Sequence, residues 1–129
     1  MAIRVWDVRA AAAGAGAAVG VDVLTERVMP ARRADGAALG LLTAAAIYPA
    51  ARRRGFGTVG EKAVLLAAGA LVAAAVALPA RRMQLLGAGW IAHAGFDAAF
   101  HPHDDSRIPS WYPAMCAGYD VALGARLLS

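Results

Sequence analysis

The sequence predicts an all-α protein, a polytopic membrane helix bundle of about five helices, and three observations carry that expectation. Charge is scarce: 17% of the 129 residues are Asp, Glu, Lys or Arg and 60% are hydrophobic, whereas ordinary globular chains carry roughly 25% charged residues. Mean hydropathy is +0.51. Residues 63–80 and 36–51 contain no charge at all, and at ~1.5 Å per residue the first run covers ~27 Å, close to the ~30 Å hydrocarbon thickness of a bilayer. The basic residues fall in short clusters between such runs: Arg32 and Arg33, Arg52 to Arg54, Arg81 and Arg82. That is where membrane-flanking positive charge belongs. Alanine is barely apolar, so a soluble alanine-rich bundle is the competing expectation. By length the chain, residues 1–129, makes a single domain.

Five helical segments follow in order. The first runs from about Val8 to Val28 and ends at Pro30. Arg4 and Arg9 ahead of AAAAGAGAAVGV imitate a signal peptide, yet the run continues into Asp22 and Glu26, so a retained helix is expected. The second covers about Asp35 to Arg52 and stops before Gly55 and Gly57. The third covers about Thr58 to Leu78, with Glu61 near its start, where an acid suits the helix dipole. Pro79 closes it. The fourth spans about Met83 to His101, because Pro102 disfavours helical geometry in the residue before it. The fifth runs from about Ser110, a plausible N-cap, to Leu128, with Pro113 in the first turn, where its missing N–H costs nothing. No alternating β-branched run exists, so strands are not expected. Gly16 with Gly20 and Gly36 with Gly40 make GxxxG pairs that let helix backbones approach in lipid, within the chain or in a homo-oligomer.

Net charge is +4 and the pI is about 10.0. No basic stripe or aromatic interleaving accompanies it, which argues against a nucleic-acid partner. The single cysteine, Cys116, excludes an intrachain disulfide and a cysteine-rich metal site. Membrane lipid and a hydrophobic small molecule are the expected partners, and the cell membrane, crossed several times, is the expected location. Basic residues divide almost evenly between the two sides, so orientation stays open. Four spans result if the first segment does not cross.

Against this apolar background, residues 90–120 concentrate titratable groups. At 100° per residue His93, Asp97 and His101 form one narrow stripe, with Trp90 on the same face. Tyr112, Cys116 and Asp120 form a second stripe, and Asp22 with Glu26 a third. An ionised carboxylate at a bilayer centre costs roughly 2.5–3.5 kcal/mol on insertion scales. Such stripes therefore turn inward, bringing His93 and Asp97 to Asp120 and towards Asp22 or Glu26. Trp111 is placed as an interfacial anchor, and with Trp90, Tyr112 and Tyr119 it belongs to the candidate substrate-binding aromatics. HPHDDSR, with His103, Asp104, Asp105 and Arg107, reads equally well as a solvated loop.

Two chemistries fit the stripe. His93, Asp97 and His101 are ligand types for a divalent metal ion, although His93 and His101 lie ~12 Å apart along the axis, so one ion would use Asp97 with one of the histidines and a donor from another helix. Alternatively His93 with Asp97 or Asp120 forms an acid–base pair in an apolar cavity, suited to a lipid-soluble, isoprenoid-like substrate.

GWIAHAGFDAAFH, followed by WYPAMCAGYD, resembles a group of small uncharacterised bacterial integral-membrane proteins that pair a GWxxHxxxDxxxH helix with a WYPxxCxxYD helix. The likeness covers Gly89 to Asp120. It implies membrane architecture and a paired motif acting as a unit, and transfers no activity. The functional expectation is an enzyme with His93, Asp97 and Asp120 as catalytic groups. Its rivals are a proton or metal-ion carrier or channel, and a non-catalytic accessory subunit.

Overall fold

Alanine-rich runs punctuated by proline fold as the sequence dictates. The computed structural model describes residues 5–99 and 105–129, and there it is all-helical: α1 (Val5–Val28), α2 (Arg33–Ala50), α3 (Val59–Ala77), α4 (Arg82–Ala99) and α5 (Tyr112–Leu128). No strand occurs among the described residues; the one bridge pairs Arg52 with Ser106. The five expected segments correspond to the five helices, with ends displaced by a few residues. The expected C-terminal end of the fourth, with His101, lies outside the described residues.

Each boundary has a local cause. Pro30 and Pro79 each open a single 3-10 turn, Pro30–Arg32 and Pro79–Arg81, which hands the chain to α2 and α4. The two turns share the sequence PARR, and the residues before them adopt similar backbone angles, φ −142° at Met29 and −122° at Leu78. α1–α2 and α3–α4 are thus joined by the same turn, although α3 packs along α4 whereas α1 scarcely touches α2 and packs along α5 instead. At the start of α3, Thr58 Oγ1 accepts the Glu61 N–H at 3.2 Å, and Glu61 Oε2 accepts the Thr58 N–H at 3.1 Å. This reciprocal box satisfies two orphan donors. Gly57 adopts φ +71°, and a Cβ there would lie 2.5 Å from that of Pro49, so only glycine fits this turn. At the start of α5 the expected Ser110 cap is not used. The helix begins at Tyr112 with Trp111 in the cap position and no side-chain cap bond, and Pro113 occupies the first turn.

Helix α5 lies between α1 and α4, and glycine makes the close approach possible. A Cβ on Gly14 would stand 1.9 Å from the Met115 carbonyl oxygen, and one on Gly118 1.9 Å from that of Ala11. On the other side, Cβ atoms on Gly87 and Gly124 would each come within 3.0 Å of the other's carbonyl oxygen. Small residues do set the packing, but not the expected ones. Gly16, Gly20 and Gly36 face open space, and Gly40 meets only the Trp90 ring. Helix α3 packs on α2 and α4, which closes the bundle. Its core is Leu41, Leu86, Trp90, Leu123 and Leu127 with alanines between, and the Trp90 indole N–H donates to the Ala37 carbonyl at 3.1 Å.

Two helices are long and apolar enough to cross a membrane, over Asp7–Val28 and Val59–Ala77, and few residues of either stretch are buried. Val19, Val21 and Leu24 of α1 and Leu66 and Val76 of α3 point outward.

Candidate functional site

Ionisable groups collect at three levels of the bundle. Because the helices alternate in direction, both PARR turns and the end of α5 share one end. Here Asp22 is gripped by two arginines: Arg33 through Nε and Nη2, both at 2.8 Å, and Arg126 through Nε at 2.6 Å. Glu26 lies 3.1 Å from each of them. Asp22 and Glu26 therefore belong to an arginine cluster, and their carboxylates are claimed there.

At the opposite end Arg52, just beyond α2, places its fork on Glu61 and its third nitrogen on Asp105 at 2.6 Å. Both partners hold the guanidinium's pKa above its ordinary value although the side chain is buried. The backbone reinforces the join, with Arg53 N–H to Asp105 O at 2.5 Å and Arg107 N–H to Ala51 O at 2.9 Å. Asp105 is thus matched by Arg52, while Arg107 Nη1 reaches the Arg52 carbonyl at 3.4 Å.

Between these ends lies a group whose two acids, among the described residues, have no arginine or lysine ion pair. His93 and Asp97 sit one turn apart on α4, Asp120 faces them from α5, and Tyr48 arrives from α2. His93 Nδ1 is 2.7 Å from Asp120 Oδ2 and 3.4 Å from Asp97 Oδ2. The Tyr48 hydroxyl donates to Asp97 Oδ1 at 2.5 Å. All four are buried, Asp97 at 1% exposure and His93 at 4%. Among the described residues the ion pairs of Asp97 and Asp120 are with His93 alone. In the neutral imidazole, with Asp120 ionised, the short bond places the ring proton on Nδ1 and leaves Nε2 with its lone pair. Among the described residues neither His93 Nε2 nor Asp97 Oδ2 has a hydrogen-bond partner. Unpaired buried polar atoms cost of the order of 1–3 kcal/mol each, and functional sites are where such a cost is tolerated.

His93 also lines a cavity of about 230 Å³ between α2, α3 and α4. Leu41 and Ala68 form its buried inner wall, and Val64, Leu71 and Phe96 its half-buried sides. Among the described residues that line it, His93 is the only ionisable side chain, and exposed Ala67 and Ala92 mark a mouth between α3 and α4. A second cavity of about 110 Å³ lies beside Asp22, Trp90 and Tyr119.

The sequence-derived groups are distributed accordingly. His93, Asp97 and Asp120 come together as their stripes predict. His101, with His103 and Asp104, lies outside the described residues, so the trio of His93, Asp97 and His101 is not described as a unit. Asp120 instead completes a set whose ligand-type atoms lie within 4.8 Å of one another. Of the aromatics, Trp90 and Tyr119 pack together at 5.8 Å and line the second cavity. Tyr112 meets Tyr48 edge-on at 6.3 Å, and Trp111 is exposed. None of the four lines the cavity beside His93. Sequence reasoning missed Tyr48, the hydroxyl on Asp97. A signal existed: Tyr48 and Asp97 stand equally far beyond the two PARR turns.

Fold and centre together define an all-α bundle with a buried His–Asp–Asp–Tyr group beside an apolar cavity. No family model, curated protein or solved structure matches the chain.

Proposed function

We propose that this chain is a multi-pass membrane protein whose His93 centre carries out proton transfer on a hydrophobic molecule held in the neighbouring cavity. The membrane part of the reading rests on where apolar and charged groups lie. The two apolar spans turn valine and leucine outward, arginines gather at the two ends, and the acids of α4 and α5 face inward. Helices of 17 to 24 residues reach roughly 25–36 Å, enough to cross a hydrocarbon layer. Intramembrane ionisable groups of this kind mark functional sites.

The observation that carries the chemistry is the single imidazole lining an otherwise apolar cavity, with Nδ1 fixed by Asp120. A base held in one tautomer by a carboxylate takes a proton at its other nitrogen and is stabilised as imidazolium by that carboxylate. Asp97 adds a second negative charge beside the ring, and Tyr48 fixes Asp97. Isomerisation is the simplest balanced case: a proton leaves one substrate carbon for His93 Nε2 and returns to another, with no further reactant. The cavity is smaller than the ~300–1,000 Å³ usual for whole ligands. The sideways mouth at Ala67 and Ala92 lets the rest of a longer, isoprenoid-like chain remain in lipid.

The test begins with carbonate extraction, in which the protein stays with the membrane pellet. Solvent extracts of purified wild-type protein then contain a hydrophobic compound that Ala92→Phe, which plugs the mouth, does not retain. His93→Gln retains it unconverted. Release by carbonate, or equal extracts from wild type and Ala92→Phe, removes the reading. A proton carrier is the second reading, favoured by the close succession of titratable groups Tyr48, Asp97, His93 and Asp120 across three helices. Proton flux in proteoliposomes, abolished by Asp97→Asn, would replace the first reading with it.

A further inference from the structure

We infer that His93, Asp97 and Asp120 form a binding site for one divalent transition-metal ion. Three observations lead there. Nδ1 of His93 and one oxygen from each carboxylate lie within 4.8 Å of one another, so modest side-chain rotations place all three around one ion at the ~2.0–2.2 Å distances such donors adopt. Asp97 is 1% exposed and its Oδ2, 3.4 Å from the imidazole, has no hydrogen-bond partner among the described residues. A buried carboxylate oxygen pointing at the other two donors with nothing to accept from is a coordination position in waiting.

The third observation is charge. Asp22 is matched by Arg33 and Arg126, and Glu61 by Arg52. Asp97 and Asp120 share one imidazole. Two carboxylates around a single imidazole are costly to keep ionised together in an apolar interior, where desolvation penalises each charge. A divalent cation would hold both as carboxylates, and among the described residues neither has an arginine or lysine ion pair that would do so. One nitrogen and two carboxylate oxygens suit zinc, iron or manganese, whereas an oxygen-only set would be required to favour magnesium or calcium. Tyr48 donates to Asp97 Oδ1, leaving Oδ2 for the ion and orienting the ligand, as outer hydrogen bonds do in metal sites.

This inference rests on the same centre as the proton-transfer reading and changes the part His93 plays in it. With an ion on Nδ1 the ring proton would sit on Nε2, so the loaded centre would offer His93 as a donor, and the base role of Nε2 belongs to the metal-free centre alone. The two ideas fail separately. A metal-binding chain that retains no hydrophobic compound loses the substrate reading alone, and a compound-binding chain without metal loses this inference alone.

The experiment uses full-length protein in detergent, stripped with a chelator, desalted and titrated with Zn²⁺ and Mn²⁺. Wild type is expected to keep one ion per chain through a second desalting and to unfold at higher temperature when loaded. Asp120→Asn and His93→Gln are expected to bind at least about 100-fold more weakly, beyond the 10–100-fold that loss of an outer partner brings, while Asp35→Asn at the bundle end binds as wild type does. Should the substituted chains not fold, X-ray absorption of zinc-loaded wild type decides: one nitrogen with oxygen donors is expected. A stripped wild type of unchanged helicity that neither keeps metal nor shifts its unfolding overturns the site. So does sulfur ligation, or equal weakening by Asp35→Asn.

Discussion

The end of the bundle around Asp22 and its middle around Asp120 hold the same chemical group in opposite company. Asp22 and Asp120 are both buried, at 3% and 2% exposure. Asp22 receives hydrogen bonds from two arginines, with Arg33 two-pronged. Asp120 has one imidazole, which it shares with Asp97. Arginine is always charged and its planar fork matches a carboxylate, so the first arrangement is a permanent clamp joining α1, α2 and α5. Imidazole changes charge near neutrality and swaps tautomers, so the second arrangement is able to change state. Carboxylates with arginine partners keep a fixed charged partner; those paired only with an imidazole do not.

Stability measurements are the way to break that contrast. Asp22→Ala removes the buried anion between Arg33 and Arg126 and leaves them only the exposed Glu26, 3.1 Å from each. Losing one partner of a buried pair costs about 3–5 kcal/mol, and because these arginines are partly exposed the expected loss is about 3 kcal/mol. It would be read as a lowered unfolding temperature in detergent; an unchanged one would mean the clamp holds nothing. Arg52→Lys is next. A lysine cannot serve Glu61 and Asp105 with one fork, so about 2 kcal/mol is expected to go. Amide exchange at Arg53 and Arg107, whose N–H groups tie the two loops, should quicken. Protection equal to wild type would assign the join to the backbone alone.

The centre should respond more weakly in stability and more strongly in function. Tyr48→Phe removes one hydrogen bond to a buried charge, about 1–2 kcal/mol, and loosens Asp97; the readout is unfolding compared with wild type after chelation. Asp120→Asn in chelated protein is expected to be neutral or slightly stabilising, within about 1 kcal/mol, because it removes one of two acids competing for one imidazole. Retention of the hydrophobic compound and of metal would be measured in parallel and should fall. A loss of stability as large as that of Asp22→Ala would place Asp120 among the structural clamps.

Much of this arrangement is legible in the residues. Proline and glycine punctuation gives five helices, and the spacing of His93 to Asp97 and of Cys116 to Asp120 gives two inward stripes. What periodicity cannot supply is which stripes meet. Asp22 and Glu26 are spaced like the others, but whether an acid finds arginine or histidine depends on axial level, which the turns set. Arg33 and Arg126, 93 residues apart, meet only through tertiary packing. Glycine contacts were likewise hidden. Gly14, Gly87, Gly118 and Gly124 make the approaches, while the more conspicuous GxxxG pairs do not. In a chain so rich in small residues, spacing alone does not distinguish a contact from an idle face. Tyr48 escaped because a tyrosine amid alanines reads as an apolar core residue, and nothing in the spacing of its helix pairs it with an acid or an imidazole.

The repeated PARR turn has a consequence for how the centre could be remade. Two helices that follow like turns offer the same position twice, and the protein fills one with a phenol and the other with an acid. Exchanging them, Tyr48→Asp together with Asp97→Tyr, preserves composition while moving the charge onto α2, away from the imidazole's own helix. Handedness at the centre is therefore written in two letters of the sequence.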